Sequence, residues 1–278
     1  MDDIFSLLIV GFIIFLFCYI RRKFKFPVVG SMACVTGGVK SGKSTFSFAL
    51  AYKEYKRVRF KVKVNNFFRK LFKKDLLEEP LFYSTIPVGI PHVLLTKELL
   101  LREKRFAYKS VIWVDEASLL ADSMCYKDLD INDRLMLFNK LIAHETKGGL
   151  IVYNTQSVAD MHYSVKRCLS ETFYVHSMIK WIPFFLICTV REERYSEDGN
   201  VINAYNEDVE ETLKKVIIRK SVWKMFDCYA YSAMTDYLDV ADDVVEVTCL
   251  KAARLNSFNP RHDGEFDGKG GVKCEREM

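Results

Sequence analysis

The chain has 278 residues, enough for one α/β domain of ordinary size with appendages. Half of it is apolar and 28 % is charged, which excludes an intrinsically disordered protein. A net charge of +5 permits contact with nucleic acid or anionic lipid and establishes neither. The 8 cysteines form no C-x-x-C pair and have no His at zinc-ligand spacing. They read as small buried hydrophobes in a reducing setting.

In chain order, the first element runs from Ile4 to Ile20, IFSLLIVGFIIFLFCYI, and carries no charge. Arg21, Arg22, Lys23 and Lys25 follow at once, whereas Asp2 and Asp3 precede it, the reverse of a cleaved signal peptide. The length suits a bilayer-spanning helix, so residues 1–25 are predicted as a transmembrane anchor with a basic juxtamembrane segment. The positive-inside rule puts the N-terminus outside and the rest of the chain in the cytoplasm.

Pro27 to Val35 reads as a short buried strand that ends in Thr36-Gly37-Gly38-Val39-Lys40-Ser41-Gly42-Lys43-Ser44-Thr45. A helix from Ser44 to about Lys56 follows, with Phe46, Leu50 and Tyr55 along it. A strand, a glycine-rich loop ending Gly-Lys-Ser and a helix form a phosphate-binding unit. Gly37, Gly38 and Gly42 let backbone N–H groups turn towards phosphate oxygens, and the helix N-terminus favours the anion. Lys43 is placed to reach the β- and γ-phosphates, with the Ser44 hydroxyl as a Mg²⁺ ligand and Thr45 beside it. The unit therefore predicts binding of ATP, or a close relative, with Mg²⁺.

The next stretch, Arg57 to Lys74, mixes Lys and Arg with aromatic residues. Three readings stay open for it: a solvated helix face, a DNA contact, or a patch on anionic lipid. Leu81 to Ile86 then reads as a strand and Leu94 to Arg105 as a helix. Ser110 to Val114 is an apolar strand closed by Asp115-Glu116. At the C-terminal edge of a parallel sheet, Asp115 is a candidate to hold Mg²⁺ and Glu116 a candidate general base for an attacking water.

An amphipathic helix near 128–146 carries Leu135, Phe138, Leu141 and Ile142 at helical spacing. Gly148-Gly149 breaks the chain before the strand Leu150–Thr155, which Gln156 closes. An amide there is a candidate to position the water or sense the γ-phosphate. Phe173–Ser177 and Ile182–Val190 continue the strands. A hairpin is predicted around Ser196–Asn200, a further strand at Val216–Ile218, and a tail rich in Gly, Asp, Lys and Arg closes the chain.

Strands alternating with helices predict an α/β fold, a P-loop NTPase with a mainly parallel sheet flanked by helices. The expected divisions are 1–25 for the anchor, 26–190 for the ATPase core, 191–252 for a hairpin and mixed extension, and 253–278 for the tail.

The order of Gly37–Thr45, then Val111–Ala117 ending Asp-Glu-Ala, then His144–Gln156 ending Thr-Gln resembles the FtsK/HerA lineage of ATPases. It is most similar there to the zonular-occludens-toxin-like (Zot) assembly ATPases of filamentous phages. Leu81–Pro87 and Trp223–Tyr229 look like segments of the same family, so the resemblance spans roughly residues 30 to 232. It implies a membrane-associated motor that assembles into homo-oligomeric rings. Such a motor acts on single- or double-stranded DNA or on virion extrusion, together with other phage assembly proteins.

Two features depart from that family. Its membrane span usually follows the core, whereas here the apolar stretch precedes it. An Arg is often found ahead of the Thr-Gln strand, where this chain has Lys147, so a trans-acting finger is left unassigned. Two other functions also fit the residues: a DNA-pumping ATPase of conjugation or genome packaging, and a nucleotide-dependent membrane scaffold that does not hydrolyse.

Overall fold

A computed structural model describes residues 24–96, 99, 106–119, 137–141, 144, 146–161, 163–193, 213–227 and 247–248, together with 11, 12, 15 and 19. Its centre is a nine-stranded sheet in the order β8-β7-β6-β1-β5-β4-β2-β3-β9. In chain order the strands are β1 (Met32–Gly37), β2 (Phe82–Ser84), β3 (His92–Leu94), β4 (Val111–Val114) and β5 (Leu150–Asn154). They continue with β6 (Glu171–Ile179), β7 (Phe185–Glu193), β8 (Leu213–Arg219) and β9 (Val247–Thr248). From β6 through β1, β5, β4 and β2 to β3 every pairing is parallel. β7, β8 and β9 join antiparallel at the two margins. The fold is thus a mixed α/β arrangement with a mainly parallel sheet.

The central strands are apolar on both faces, as a sheet covered on both sides requires. On one face, Ala33, Val35, Trp113 and Val152 pack beneath the long helix α1 (Lys43–Leu71). Phe48 of α1 meets Trp113 at 5.0 Å and Phe82 at 6.0 Å between ring centroids. Each aromatic buried this way contributes roughly 1.5–3 kcal/mol. On the other face, Met32, Cys34, Ile112, Val114, Ile151 and Tyr153 are covered by Phe106, Phe138, Val158, Met161 and Val165.

The helix α1 is longer than its sequence pattern suggested. It does not stop near Lys56 but continues through the basic stretch, because no Gly or Pro interrupts it and Tyr55, Val58 and Val62 prolong its buried row. Its end is a Schellman turn: the Lys74 N–H reaches the Arg69 carbonyl at 2.9 Å, with Lys73 left-handed at φ 52°.

β1 begins at Met32 rather than Pro27, and the hydrogen bonds of Ser170 to Met32 mark its start. The segment around Pro91 supplies a strand, β3, that the periodicity did not reveal; it is too short to show alternation. β6 and β7 form a hairpin, since the link from Lys180 to Phe184 is too short for a crossover.

Of the helix near 128–146, residues 137–140 are described and are helical, with Phe138 buried. The helix over Leu94–Arg105, the turn at Ser196–Asn200 and the tail lie largely or wholly outside the described residues. So does most of the apolar stretch Ile4–Ile20; in it, Gly11, Phe12, Phe15 and Tyr19 are helical and exposed. Among the described residues no helix is long and apolar enough to cross a membrane.

Candidate nucleotide-binding site

Parallel pairing brings the C-terminal ends of β1, β5 and β4 to one edge, the position at which open α/β sheets bind ligands. The register Val35↔Asn154 and Val114↔Tyr153 sets β5 between the strand of the glycine loop and the strand of the acidic pair. Residues distant in sequence therefore meet there.

The loop after β1 is shaped by its glycines. A Cβ on Gly37 would lie 2.8 Å from the Val175 carbonyl, and Gly42 has φ 95° with a Cβ position 2.8 Å from the Met178 side chain. Gly38 has open space where a Cβ would stand, and Val39 and Lys40 are exposed, with Lys40 left-handed at φ 63°.

Gly42 caps α1 without a side chain, and the first turn holds no acid. The first intrahelical bond is Phe46 N–H to the Gly42 carbonyl at 3.0 Å. The N–H groups of Lys43, Ser44 and Thr45 are therefore the ones a helix start leaves for an anion. Thr45 itself is buried in that first turn.

Lys43 Nζ lies 3.5 Å from Glu116 Oε2 and is mostly covered. Ser118 Oγ donates to Glu116 Oε1 at 3.1 Å, so Glu116 is held from two sides. Glu116 also takes a left-handed backbone, φ 51°, a conformation that costs a non-glycine residue about 1–3 kcal/mol. That strain turns its carboxylate from the strand end towards Lys43.

Asp115 is positioned through its backbone: its N–H donates to Thr85 Oγ1 at 2.9 Å, and Thr85 is fully buried. Burial pushes the Asp115 carboxyl above its ordinary range, and the charge of Glu116 adds to this. The Asn154 amide, the Lys43 charge and the Ser44 hydroxyl act in the opposite direction.

Asn154 is the residue that joins the parts. Its Nδ2 donates to Ser44 Oγ at 3.0 Å and to Asp115 Oδ1. The sequence pattern assigned the polar role at this strand to Gln156. Gln156 is exposed two residues past β5, on the same edge of the sheet, and Asn154 makes contacts to Ser44 and Asp115. The signal for Asn154 was present as the polar residue ending an otherwise largely apolar strand. Thr85 and Ser118 carried no such signal, because their roles depend on β2 lying beside β4 and on the turn after Glu116. Lys147 sits ahead of β5, at the opposite edge from the loop, and its Nζ is 3.6 Å from Glu78 Oε2.

A magnesium nucleotide fits these residues. Ser41 Oγ and Asn154 Oδ1 are buried at the site without a hydrogen-bond partner among the described residues. Ser44 and Asp115 form a hydroxyl–carboxylate pair of the hard-oxygen type that Mg²⁺ takes. The half-buried carboxylate of Glu116 lies against the loop lysine, in reach of the site's mouth.

No family model and no curated protein matches the chain. Among solved structures it is similar to the N-terminal domain of zonular occludens toxin from Neisseria meningitidis, at 12 % identity and a TM-score of 0.42, over 72 % of this chain and 100 % of that one. It is similar to the genome packaging NTPase of Sulfolobus turreted icosahedral virus 2 in complex with ATP-gammaS, at 13 % identity and a TM-score of 0.31, over 59 % of this chain and 97 % of that one. A KaiC-like protein from Pyrococcus horikoshii OT3 is similar at 14 % identity and a TM-score of 0.27, over 63 % of this chain and 90 % of that one. Likeness at this level concerns the course of the chain and carries no residue's role across.

Proposed function

We propose that this chain is a membrane-anchored P-loop ATPase that assembles as a homo-oligomeric ring at the cytoplasmic membrane face. There it spends ATP on filamentous phage assembly and extrusion, or on the movement of DNA. The observation that carries the reading is the meeting of Lys43, Ser44, Asp115, Glu116 and Asn154 at one sheet edge beside the glycine loop. The cargo is supported by the order of motifs, and the anchor by the uncharged stretch Ile4–Ile20 with its basic flank.

In this reading the loop N–H groups and the start of α1 hold the phosphates. Lys43 exchanges its contact with Glu116 for the β- and γ-phosphate oxygens. Ser44 and Asp115 would hold Mg²⁺, with Asn154 fixing both, and a bound ion would supply neutralisation of phosphate charge. Glu116, released from Lys43, accepts a proton from water as its oxygen bonds to the γ-phosphorus. The bond to the bridging oxygen breaks, leaving ADP and phosphate. Gln156, exposed on the same edge, is placed to sense the γ-phosphate.

Glu116→Gln tests the reading. The variant is expected to bind ATP as the wild type does and to lose turnover at least about hundredfold, the usual contribution of a general base. In a phage complementation assay it should also release no virions. Undiminished turnover would refute the assignment of Glu116, and absence of turnover in the wild type would leave a binding scaffold in place of an ATPase.

A further inference from the structure

The last turns of α1 combine exposure with hydrophobicity in a way that packing among the described residues does not explain. The helix buries Ala51, Tyr55, Val58 and Val62 at three- and four-residue spacing, and after Val62 none of its residues is buried. Apolar residues are nevertheless exposed on it: Phe60 and Phe67 are each 69 % exposed, Leu71 and Phe72 each 67 %, with Val64 and Phe68 between them.

At 3.6 residues per turn, Phe60, Val64, Phe67 and Leu71 fall in one narrow stripe, on the side of α1 opposite Tyr55, Val58 and Val62. Phe68 and Phe72 widen the stripe. Lys63 and Lys70 border it on one side, Lys61 lies between Phe68 and Phe72 on the other, and no Asp or Glu occurs from Arg57 to Lys74.

Among the described residues, the chain beyond the helix does not cover it. It folds back and is pinned where Asn66 bonds both the N–H and the carbonyl of Leu77. Arg69 Nη1 further fixes it on the Asp75 carbonyl. The polypeptide leading in from the N-terminal apolar stretch enters on this same face of the sheet. Phe26 stacks on Phe46 at 6.3 Å, and Lys53 Nζ lies 4.5 Å from the Phe26 ring.

We propose that this stripe docks on an anionic lipid bilayer, with Phe60, Phe67, Phe68, Leu71 and Phe72 in the headgroup layer and the flanking lysines on lipid phosphates. An exposed apolar stripe bordered by cations is the form an interfacial helix takes. Nucleic acid would engage the lysines but leave the aliphatic Val64 and Leu71 without a base to stack on, so lipid is the occupant that uses both halves of the pattern. The proposal deepens the membrane-facing part of the reading above and rests on it only for bringing the chain to a bilayer. Its consequence is a second contact, which fixes the ATPase domain's orientation instead of leaving it to swing on one anchor.

The test is tryptic cleavage after Arg69, Lys70, Lys73 and Lys74 in the full chain, mixed with vesicles of phosphatidylcholine alone or of phosphatidylcholine with phosphatidylglycerol. Cleavage at these sites should be about tenfold slower on the anionic vesicles, and high salt should reduce that protection. A variant with Phe67, Phe68, Leu71 and Phe72 replaced by Ser should lose the protection while its circular dichroism stays that of the wild type, since all four are exposed. A chain that sediments with both kinds of vesicle yet is cleaved equally on them overturns this proposal and spares the anchor. Sedimentation with anionic vesicles alone, lost in the Ser variant, supports it and refutes the anchor. Sedimentation with neither overturns both, and protection by DNA but not by anionic vesicles overturns it in favour of nucleic acid.

Discussion

Replacing Asn154 by Ala isolates the contact on which the proposed metal site depends. Asn154 Nδ2 donates to Asp115 Oδ1 and, at 3.0 Å, to Ser44 Oγ, so the substitution removes a side chain that touches both proposed Mg²⁺ ligands. A hydrogen bond to a charged group contributes about 1.5–3 kcal/mol, and 1.4 kcal/mol corresponds to a factor of ten. The apparent affinity for Mg²⁺ in ATP turnover should therefore fall roughly tenfold to a hundredfold. Binding of ATP without Mg²⁺ should change little, because Gly37–Lys43 and the start of α1 are untouched. The assay is turnover against Mg²⁺ concentration, paired with binding of a fluorescent ATP analogue in chelator. Equal losses with and without Mg²⁺, or an unchanged Mg²⁺ dependence, would refute the role given to Asn154.

Gly42→Ala forces a side chain onto a left-handed residue, with its Cβ 2.8 Å from Met178. It should lower the stability of the fold by about 1–3 kcal/mol, read as a lower urea midpoint at unchanged slope. Burial pushes the thiols of Cys34 and Cys188 up to about 12. At pH 8 only about one such thiol in ten thousand is ionised, so iodoacetamide should label both only after unfolding, as peptide mass mapping would show. The sign of the linkage follows: the folded state holds these protons more tightly than the unfolded thiol with its ordinary 9.0. Their contribution to stability is complete below pH 9 and declines as pH rises towards 12.

The elements best legible in the sequence are those whose cause is local. The glycine loop, the apolar strand ending in Asp115-Glu116 and the strand Leu150–Asn154 are each specified by a run of residues and a polar stop. Their common edge follows from parallel pairing. The length of α1 was harder to read, because basic residues masked the continued row Tyr55, Val58 and Val62 and left Lys73 as an unmarked left-handed stop. The antiparallel return of β7 on β6 depends on the short link Lys180–Phe184. Asn154 and Thr85 escaped notice for a different reason. Each acts on a residue far along the chain, and only the strand order β1-β5-β4-β2 brings donor and acceptor together. Local patterns name the phosphate loop and the acids, while the residues that hold them in place belong to the topology.

The most direct test of the account is equilibrium binding of ATP with Mg²⁺ to the full chain and to its Lys43→Ala variant, whose missing ammonium removes the contact intended for the β- and γ-phosphates. The wild type should bind, and the variant should bind at least about a hundredfold more weakly while remaining folded. Equal affinity in the two chains, or no binding by the wild type, would contradict the claim that Gly37–Ser44 is a nucleotide site.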